Sequence, residues 1–296
     1  MHCEESFARS CINTLLNYNR PYSAIRELCF ANYLDTNLIL KVLQAALDYY
    51  PNTERNGINL NNIDSYSIEK LFINIYKDPS IDIMRVSQLE LAYLNKFDID
   101  FEPKCLVENV LNNPHVFLDL ISCCFKKYDD TSYEIPEEKK HLVNLAQESL
   151  ERIKKLPGQT GNLVNFDKFN DWIQSVLELA KELKYTIACD IQIGRLLSYS
   201  PIDEDGIWPH KCVRKFLEKN TSETINRNIC MGLYNQRGVH AVTGGDEEER
   251  IAATYSEYSQ KLQLQYPKTS HILKEISDKY KREAKFERTR ELKGYF

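Results

Sequence analysis

The sequence predicts an all-α fold, and three features carry that prediction. Gly and Pro, the residues that interrupt helices most strongly, occur only 10 times each in 296 residues. Apolar residues recur at steps of three and four along nearly the whole chain, as they do at Phe7, Cys11, Leu15 and Tyr18. No segment shows the two-residue alternation of a half-buried strand. We expect helical hairpins stacked in a degenerate, solenoid-like array, followed by a C-terminal helical bundle.

The helices of the N-terminal half are expected to be about a dozen residues long and joined by short loops. The apolar spacing places them near residues 6–18, 22–34, 37–50, 65–77, 82–95, 103–112 and 114–127. The second of these has an apolar stripe that includes Ile25, Cys29 and Tyr33. Pro51 ends the third. Asn113 and Pro114 have the residue types of an N-cap and a first helical position.

A lapse in apolar content over residues 126–140 ("KKYDDTSYEIPEEKK") predicts a boundary between two domains. We assign residues 1–128 to an N-terminal array of helical hairpins and residues 129–296 to a C-terminal helical domain. Its helices are expected near residues 136–155, 165–183, 186–199, 209–219, 222–234, 246–266 and 268–292. The last two are long, so the C-terminal domain ends in a pair of long helices.

The composition excludes several classes of protein. A net charge of −5 gives the chain no general attraction to nucleic acid. No apolar run approaches about 18 residues, and the start, "MHCEESFARS", lacks the apolar core of a signal peptide. The nine cysteines form no Cys-x-x-Cys pair and lie in apolar helical runs. We interpret them as reduced thiols, which predicts a cytoplasmic protein without a membrane partner.

The acids of the loop "PIDEDG", residues 201–206, are of the type that binds calcium, but two other positions of the pattern do not fit a calcium-binding loop. The places where an EF-hand needs an acid and a closing glutamate are occupied by Pro201 and Cys212. We expect a loop of solvated acids instead. Trp208 is then expected to pack as a hydrophobic staple onto a helix that starts at Pro209.

The other candidate metal ligands are also incomplete. Glu138 and His141 form a single Glu-x-x-His pair, whereas a di-iron bundle needs two such pairs. His210 and Cys212 are two positions apart, so they diverge on a helix and are poor co-ligands. We expect no metal and no cofactor.

The stretch "YNQRGVHAVTGGDEEERIAATY", residues 234–255, has two competing interpretations. The bare backbone N–H groups of a glycine-rich loop at a helix start can bind a phosphate. Here, however, an Asp and three Glu follow Gly244 and Gly245, where a Walker loop has Lys and then Ser or Thr. Those carboxylates would repel an anion. We therefore interpret the glycines as a turn, with Asp246 and Glu249 as an acidic capping box.

Polar residues just before that turn are the candidates for catalysis. Asn235, Arg237 and His240 form the most function-like polar cluster in the sequence, and His240 could act as a general acid or base. Helical ribonucleases of the HEPN group carry an Arg and a His with a longer spacer than the two residues between Arg237 and His240. This mismatch counts against a HEPN ribonuclease. A small helical hydrolase or nuclease that uses Arg237 and His240 is still one alternative, and a capping or turn role for His240 is the other.

The C-terminal segment is basic within an acidic protein. Residues 268–293 hold nine Lys or Arg against five Asp or Glu, which makes the segment +4. Such a run is typical of the solvated face of a terminal helix, and it can also dock an acidic partner. The candidate partner-binding residues are Arg282, Lys285, Arg288 and Arg290. Nucleic-acid binding through the same helix is the alternative, and its affinity would fall steeply with salt.

Four stretches carry a resemblance to a known group: "IGRLLSYSPIDEDGIWPHKCVRKFLE", "YNQRGV", "GGDEEERIAATY" and "YPKTSHILKEISDKYKREA". They resemble the C-terminal helical region of large bacterial multidomain proteins, some with NTPase or other effector modules and suspected roles in phage defence. The hairpins at residues 5–127 resemble the upstream part of the same array. This chain has no Walker loop, so the resemblance implies a sensor-like scaffold. We therefore expect a non-enzymatic protein that recognises a protein partner.

Overall fold

The all-α prediction is confirmed by a computed structural model, which describes residues 2–31, 35–49, 63–127, 129, 137–220, 222–237 and 245–292. The helices are α1 His2–Asn17, α2 Pro21–Phe30, α3 Thr36–Tyr49, α4 Ser65–Ile75, α5 Ile83–Ala92, α6 Lys104–Asn112, α7 Pro114–Cys124, α8 Lys140–Arg152, α9 Phe166–Glu182, α10 Thr186–Leu197, α11 Lys211–Lys219, α12 Glu223–Gln236, α13 Asp246–Leu262 and α14 Pro267–Leu292. None of these described helices combines the length and apolarity needed to cross a membrane. Residues of the sequence-based predictions that lie outside the described ranges are Tyr33, Pro51, His240 and Gly244.

Short elements complete the described secondary structure. Two 3₁₀ turns lie at Leu94–Lys96 and Glu137–Lys139. A small antiparallel hairpin pairs β1, Gln159–Thr160, with β2, Leu163–Val164. The sequence predicted no strand here, because two-residue strands are too short to show an alternating pattern.

The chain divides into two compact units, and each unit consists of two separate segments of the sequence. The first comprises Met1–Val110 with Glu137–Arg152, and the second comprises Leu111–Pro136 with Ile153–Phe296. The domain boundary predicted after residue 128 and the solenoid-like stacking stay predictions.

The core of the first unit consists of the apolar faces of α2 to α5. Its fully buried side chains include Ile25, Leu28, Ile39, Leu43, Ile68, Leu71, Phe72 and Val86. The Tyr93 hydroxyl donates a hydrogen bond of 2.8 Å to the Leu43 carbonyl oxygen, which ties the end of α5 to α3. Asp64 and Asp82 cap α4 and α5 by accepting the backbone N–H groups of Ser67 and Arg85.

The apolar stripe that predicted α1 is exposed at its first and last residues. Phe7 is 70% exposed and Tyr18 is 76% exposed, whereas Ile12, between them, is buried. The stripe in α2 is confirmed at Ile25 and Cys29, which are both fully buried. The periodicity thus identified both helices, but it could not show how much of each apolar face is covered by a neighbour.

Glu90 is a fully buried carboxylate in α5 that caps the start of α6. Its oxygens accept hydrogen bonds from the Tyr76 hydroxyl at 2.5 Å, from the Cys105 N–H at 3.2 Å and from the Leu106 N–H. Burial raises the pKa of Glu90 to about 7, and the hydrogen bonds from Tyr76, Leu106 and Cys105 only partly oppose that rise.

Replacing Glu90 with Gln should therefore remove a pH dependence of stability. The pKa of Glu90 rises from 4.5 to about 7 in the folded chain, so the folded state holds a proton in this window that the unfolded state has released. The quantity to compare is the unfolding free energy of the wild type minus that of Glu90→Gln. We expect this difference to fall by about 3 kcal/mol as the pH rises from 4.5 to about 7. Urea denaturation followed by circular dichroism measures this difference. A difference that stays constant or grows with pH contradicts the expectation.

In the second unit, both ends of α12 are tied to α10. Ser222, the N-cap of α12, donates its hydroxyl to Asp190 of α10 at 2.6 Å. At the other end, the Gln236 amide donates to the Ser198 hydroxyl, also at 2.6 Å. These bonds fix the axis of α12, which forms one wall of the groove described below.

The long hairpin of α13 and α14 supplies the other wall. The Ser277 hydroxyl donates to the Ala252 carbonyl oxygen at 2.7 Å, and the Ser259 hydroxyl donates to the Ser270 carbonyl oxygen at 2.8 Å. These four residues are buried, so the small side chains allow the two helices to pack closely. The predicted pair of long C-terminal helices is confirmed.

Candidate functional site

The turn predicted at the second glycine of "TGGDEEER" is confirmed. Gly245 has a left-handed backbone with φ of +89° and is the N-cap residue of α13. A Cβ atom on it would lie 2.5 Å from the carbonyl oxygen of Ala284 in α14. Gly245 therefore serves the close packing of the α13–α14 hairpin.

The capping box predicted for Asp246 and Glu249 is wrong. The N-cap is Gly245, which has no side chain to accept a backbone N–H, and no side-chain cap forms. Asp246 and Glu249 instead both bind Arg288 of α14, at 3.2 Å and 2.5 Å. The sequence could not reveal this because Arg288 lies about 40 residues further along the chain.

Arg237, the central residue of the predicted catalytic cluster, is held by carboxylates. Its side chain is 10% exposed and forms ion pairs with Glu247, at 3.1 Å, and with the buried Glu248. The guanidinium also lies 5.8 Å from the ring centre of Tyr280. Burial acts to lower the pKa of Arg237, but the ion pairs with Glu248 and Glu247 outweigh burial and raise it. Arg237 thus ties the end of α12 to α13.

The structure describes two of the three residues of the predicted catalytic cluster, Asn235 and Arg237. Asn235 is exposed in the last turn of α12, and its described contact with Arg237 is through the backbone, where the Arg237 N–H donates to the Asn235 carbonyl oxygen. His240 lies outside the described residues. An anion approaching Arg237 would have to displace Glu248, a buried carboxylate, which is costly.

The four basic residues predicted to bind a partner have different environments. Arg288 is occupied by Asp246 and Glu249. Lys285 is exposed, and the side chain of Arg290 lies outside the described part of the chain. Arg282 lines a surface groove between α12 and α14.

That groove, which we call the α12–α14 groove, has a volume of about 810 Å³. It includes Glu223, Arg227 and Cys230 on α12, and Glu275, Lys279 and Arg282 on α14. These positions recur at steps of three and four on each helix, so one face of α12 and one face of α14 form the walls. The sequence-based search missed Arg227 because a single basic residue on an exposed helix face carries no distinguishing pattern.

The charges of the α12–α14 groove are only partly neutralised. Lys279 lies 3.8 Å above the ring centre of Tyr234, and His271 lies 3.4 Å from Glu275. Arg227 and Arg282 have no ion-pair partner in the described ranges. Two guanidinium groups on neighbouring helices thus face the same groove and are available to an incoming carboxylate.

Neither Cys230, which lines the α12–α14 groove, nor Cys212, in α11, is an activated nucleophile. Burial raises the pKa of Cys230 in the groove to about 11. Burial also raises the pKa of Cys212, and its sulfur faces the Val164 carbonyl oxygen at 3.7 Å. His210 is not a base for Cys212, because its Nδ1 accepts the Cys212 backbone N–H. Eight of the nine cysteines have side chains that the structure describes, and all eight are free thiols.

The acidic loop before α11 is solvated at Glu204 and Asp205, as the sequence predicted, but Asp203 is buried beside Arg214. Arg214 is 2% exposed and binds Asp205 through two nitrogens, at 2.6 Å and 2.9 Å. It also donates to the carbonyl oxygens of Pro209 and Ile207, at 2.6 Å and 2.5 Å. The hydrogen bond from Arg214 lowers the pKa of Asp205. Asp203, 9% exposed, lies 3.9 Å from the same guanidinium group.

The predicted helix start at Pro209 is also wrong by two residues. α11 begins at Lys211, and His210 is its N-cap. The indole N–H of Trp208 donates to the Ser200 carbonyl oxygen at 2.8 Å, so Trp208 is anchored in the preceding loop. Burial lowers the pKa of His210, and Asp203, 3.4 Å away, opposes that shift. This network stabilises the loop and offers no open site.

Neither a metal site nor a similar protein suggests a further candidate function. Within the described ranges, no group of three or more His, Cys, Asp or Glu could hold a metal ion. His141 is exposed, and the side chain of Glu138 lies outside the described residues. No family model, no curated protein and no solved structure matches the chain. The resemblance to bacterial multidomain proteins therefore stays a prediction.

Proposed function

We propose that this chain is a cytoplasmic, non-enzymatic α-helical protein that binds an acidic segment of a protein partner in the α12–α14 groove. One observation supports this above all: Arg227 and Arg282 face the groove without an ion pair in the described chain, whereas Arg237 and Arg288 are both paired. Arginine binds carboxylates with two parallel hydrogen bonds, and it is one of the residues that contribute most to protein interfaces.

Exposed apolar residues lie beside these two arginines. Met231 is 49% exposed and lies one helical turn after Arg227, and Tyr234 follows at 37% exposed. Phe286 is 63% exposed and lies one turn after Arg282 on α14. Burying such side chains against a partner would supply the hydrophobic part of the binding energy.

The composition of the groove favours a protein segment over a small molecule. Small-molecule sites are mainly apolar with a few polar groups. The α12–α14 groove has instead charged side chains of both signs, with Glu223, Glu275 and Asp278 beside Arg227, Lys279 and Arg282. A surface with neighbouring charges of both signs favours a partner that places an opposite charge against each of them, and it disfavours partners with like charges at those places.

An affinity capture from extracts of the native host tests this proposal. Three baits are compared: the wild-type chain, Arg227→Glu/Arg282→Glu, and Arg250→Glu/Lys274→Glu. The control variant makes the same charge change at exposed residues that do not line the groove. We expect the groove variant to lose the captured partner by at least about tenfold, because two charge-assisted contacts become repulsive. The control should retain it.

Two results contradict the proposal. If both variants retain the partner, the groove is not the binding site. If both lose it equally, or if the captured material is sensitive to nuclease, the attraction is a general electrostatic one and the nucleic-acid alternative is favoured. A sensor role in a phage-defence system remains the prediction of the sequence resemblance, and an effector module encoded beside this chain would support it.

A further inference from the structure

A second cavity lies between α9 and α11 in the same unit, away from the residues of the α12–α14 groove. This α9–α11 pocket has a volume of about 270 Å³. Its apolar wall comprises Phe166, Phe169, Leu177 and Phe216, and Phe169 and Phe216 are buried. A cavity of roughly 150 Å³ lined by apolar side chains is known to bind benzene, so this pocket has room for about ten non-hydrogen atoms.

The polar groups of the α9–α11 pocket are all cationic or neutral. Lys215 and Lys219, one turn apart on α11, line it, and none of its lining residues in the described chain is acidic. Lys215 holds its ammonium group 4.9 Å from the ring centre of Phe166, at the edge of the apolar wall. In a chain of net charge −5, a cavity with two cations and no acid is a local site of positive potential.

Asn220, which lines this pocket, has a side-chain donor that no described residue uses. Its Nδ2 is buried and finds no hydrogen-bond partner among the described residues. The oxygen of the same amide is already engaged, because it accepts the Ser222 backbone N–H at 3.1 Å. A buried donor without a partner costs free energy, so an acceptor atom in the pocket would stabilise it.

We propose that the α9–α11 pocket binds a small carboxylate with an apolar body of about eight carbons. The hydrocarbon contacts Phe166, Phe169 and Phe216, and the carboxylate accepts hydrogen bonds from Lys215 or Lys219 and from Asn220. This site is independent of the proposed protein-binding groove, since no residue lines both.

Isothermal titration calorimetry with octanoate, 1-octanol and octylamine tests the proposal on the full chain. These probes share the hydrocarbon and differ in the charge of the head group. We expect octanoate to bind more tightly than octanol, and octylamine to bind most weakly because Lys215 and Lys219 repel it. Equal affinity for octanoate and octylamine, or no binding of octanoate at millimolar concentration, would overturn the proposal.

Three variants locate the site. Lys215→Met/Lys219→Met should weaken octanoate about tenfold and leave octanol nearly unchanged. Lys211→Met is the matched control, because Lys211 is an exposed lysine of α11 that does not line the pocket. Gln174→Trp, at an exposed position on the pocket wall, should block both ligands while circular dichroism shows the fold retained. Octanoate binding that survives Gln174→Trp, or that Lys211→Met weakens as much as the double variant, rejects this location.

Discussion

Replacing Arg214 with Ala should destabilise the second unit by about 4 kcal/mol. The guanidinium is 2% exposed and holds Asp205, Pro209 and Ile207 through four short hydrogen bonds. Its removal leaves two carbonyl oxygens without their donor and leaves the buried Asp203 without the nearby positive charge. Urea denaturation followed by tryptophan fluorescence measures the loss, because both tryptophans of the chain lie in this unit.

Two further variants distinguish the stabilisation that comes from the buried Arg214 from that of an ordinary surface charge. Lys211→Ala removes an exposed lysine that lies 3.9 Å from Glu204, and we expect it to cost less than about 0.5 kcal/mol. Arg214→Lys keeps the charge but not the planar group that binds Asp205 twice, so its effect should be intermediate. If Arg214→Ala is no more destabilising than Lys211→Ala, the network contributes nothing to the fold.

Gly245→Ala should destabilise the α13–α14 hairpin by about 3 kcal/mol, from two separate causes. The backbone φ of +89° is unfavourable for any residue with a Cβ atom. The added Cβ would also lie 2.5 Å from the Ala284 carbonyl oxygen and 2.9 Å from its Cα, so α14 would have to move. The free energy of unfolding in urea is again the measurement.

Gly206→Ala provides the matched control for this variant. Gly206 has φ of +74°, but a Cβ atom there meets nothing within 4 Å. Gly206→Ala should therefore lower the free energy of unfolding only by the cost of the left-handed backbone, about 1 kcal/mol. Equal destabilisation by the two variants would mean that the close approach of Gly245 to Ala284 has no energetic consequence.

The regular elements were predictable because their signals are local. Asn113 and Pro114 gave the start of α7 correctly, and the glycine turn before α13 is confirmed at Gly245. Helix periodicity did not show which faces are covered, and Phe7 and Tyr18 of the apolar stripe in the first helix are exposed. The position of a residue on a helix follows from the sequence, but the position of its neighbours does not.

The ion pairs were not predictable because they join distant parts of the chain. Arg288 was expected to face a partner, yet it binds Asp246 and Glu249 across the hairpin. Arg214 was not identified as buried, since acids in a Gly-containing loop are usually solvated and nothing local marks them as its partners. Those pairings matter for the proposed function, because they leave Arg227 and Arg282 as the guanidinium groups that face the groove.

Hydroxyl-radical footprinting of the chain, alone and with its captured partner, tests the proposed binding groove most directly. Met231 and Met84 are both 49% exposed, but Met231 lies on α12 and Met84 on α5 of the other unit. We predict that the partner slows oxidation of Met231 and Tyr234 and leaves Met84 unchanged. Protection of Met84 with unaltered oxidation of Met231 and Tyr234 would contradict the assignment of the α12–α14 groove as the partner-binding surface.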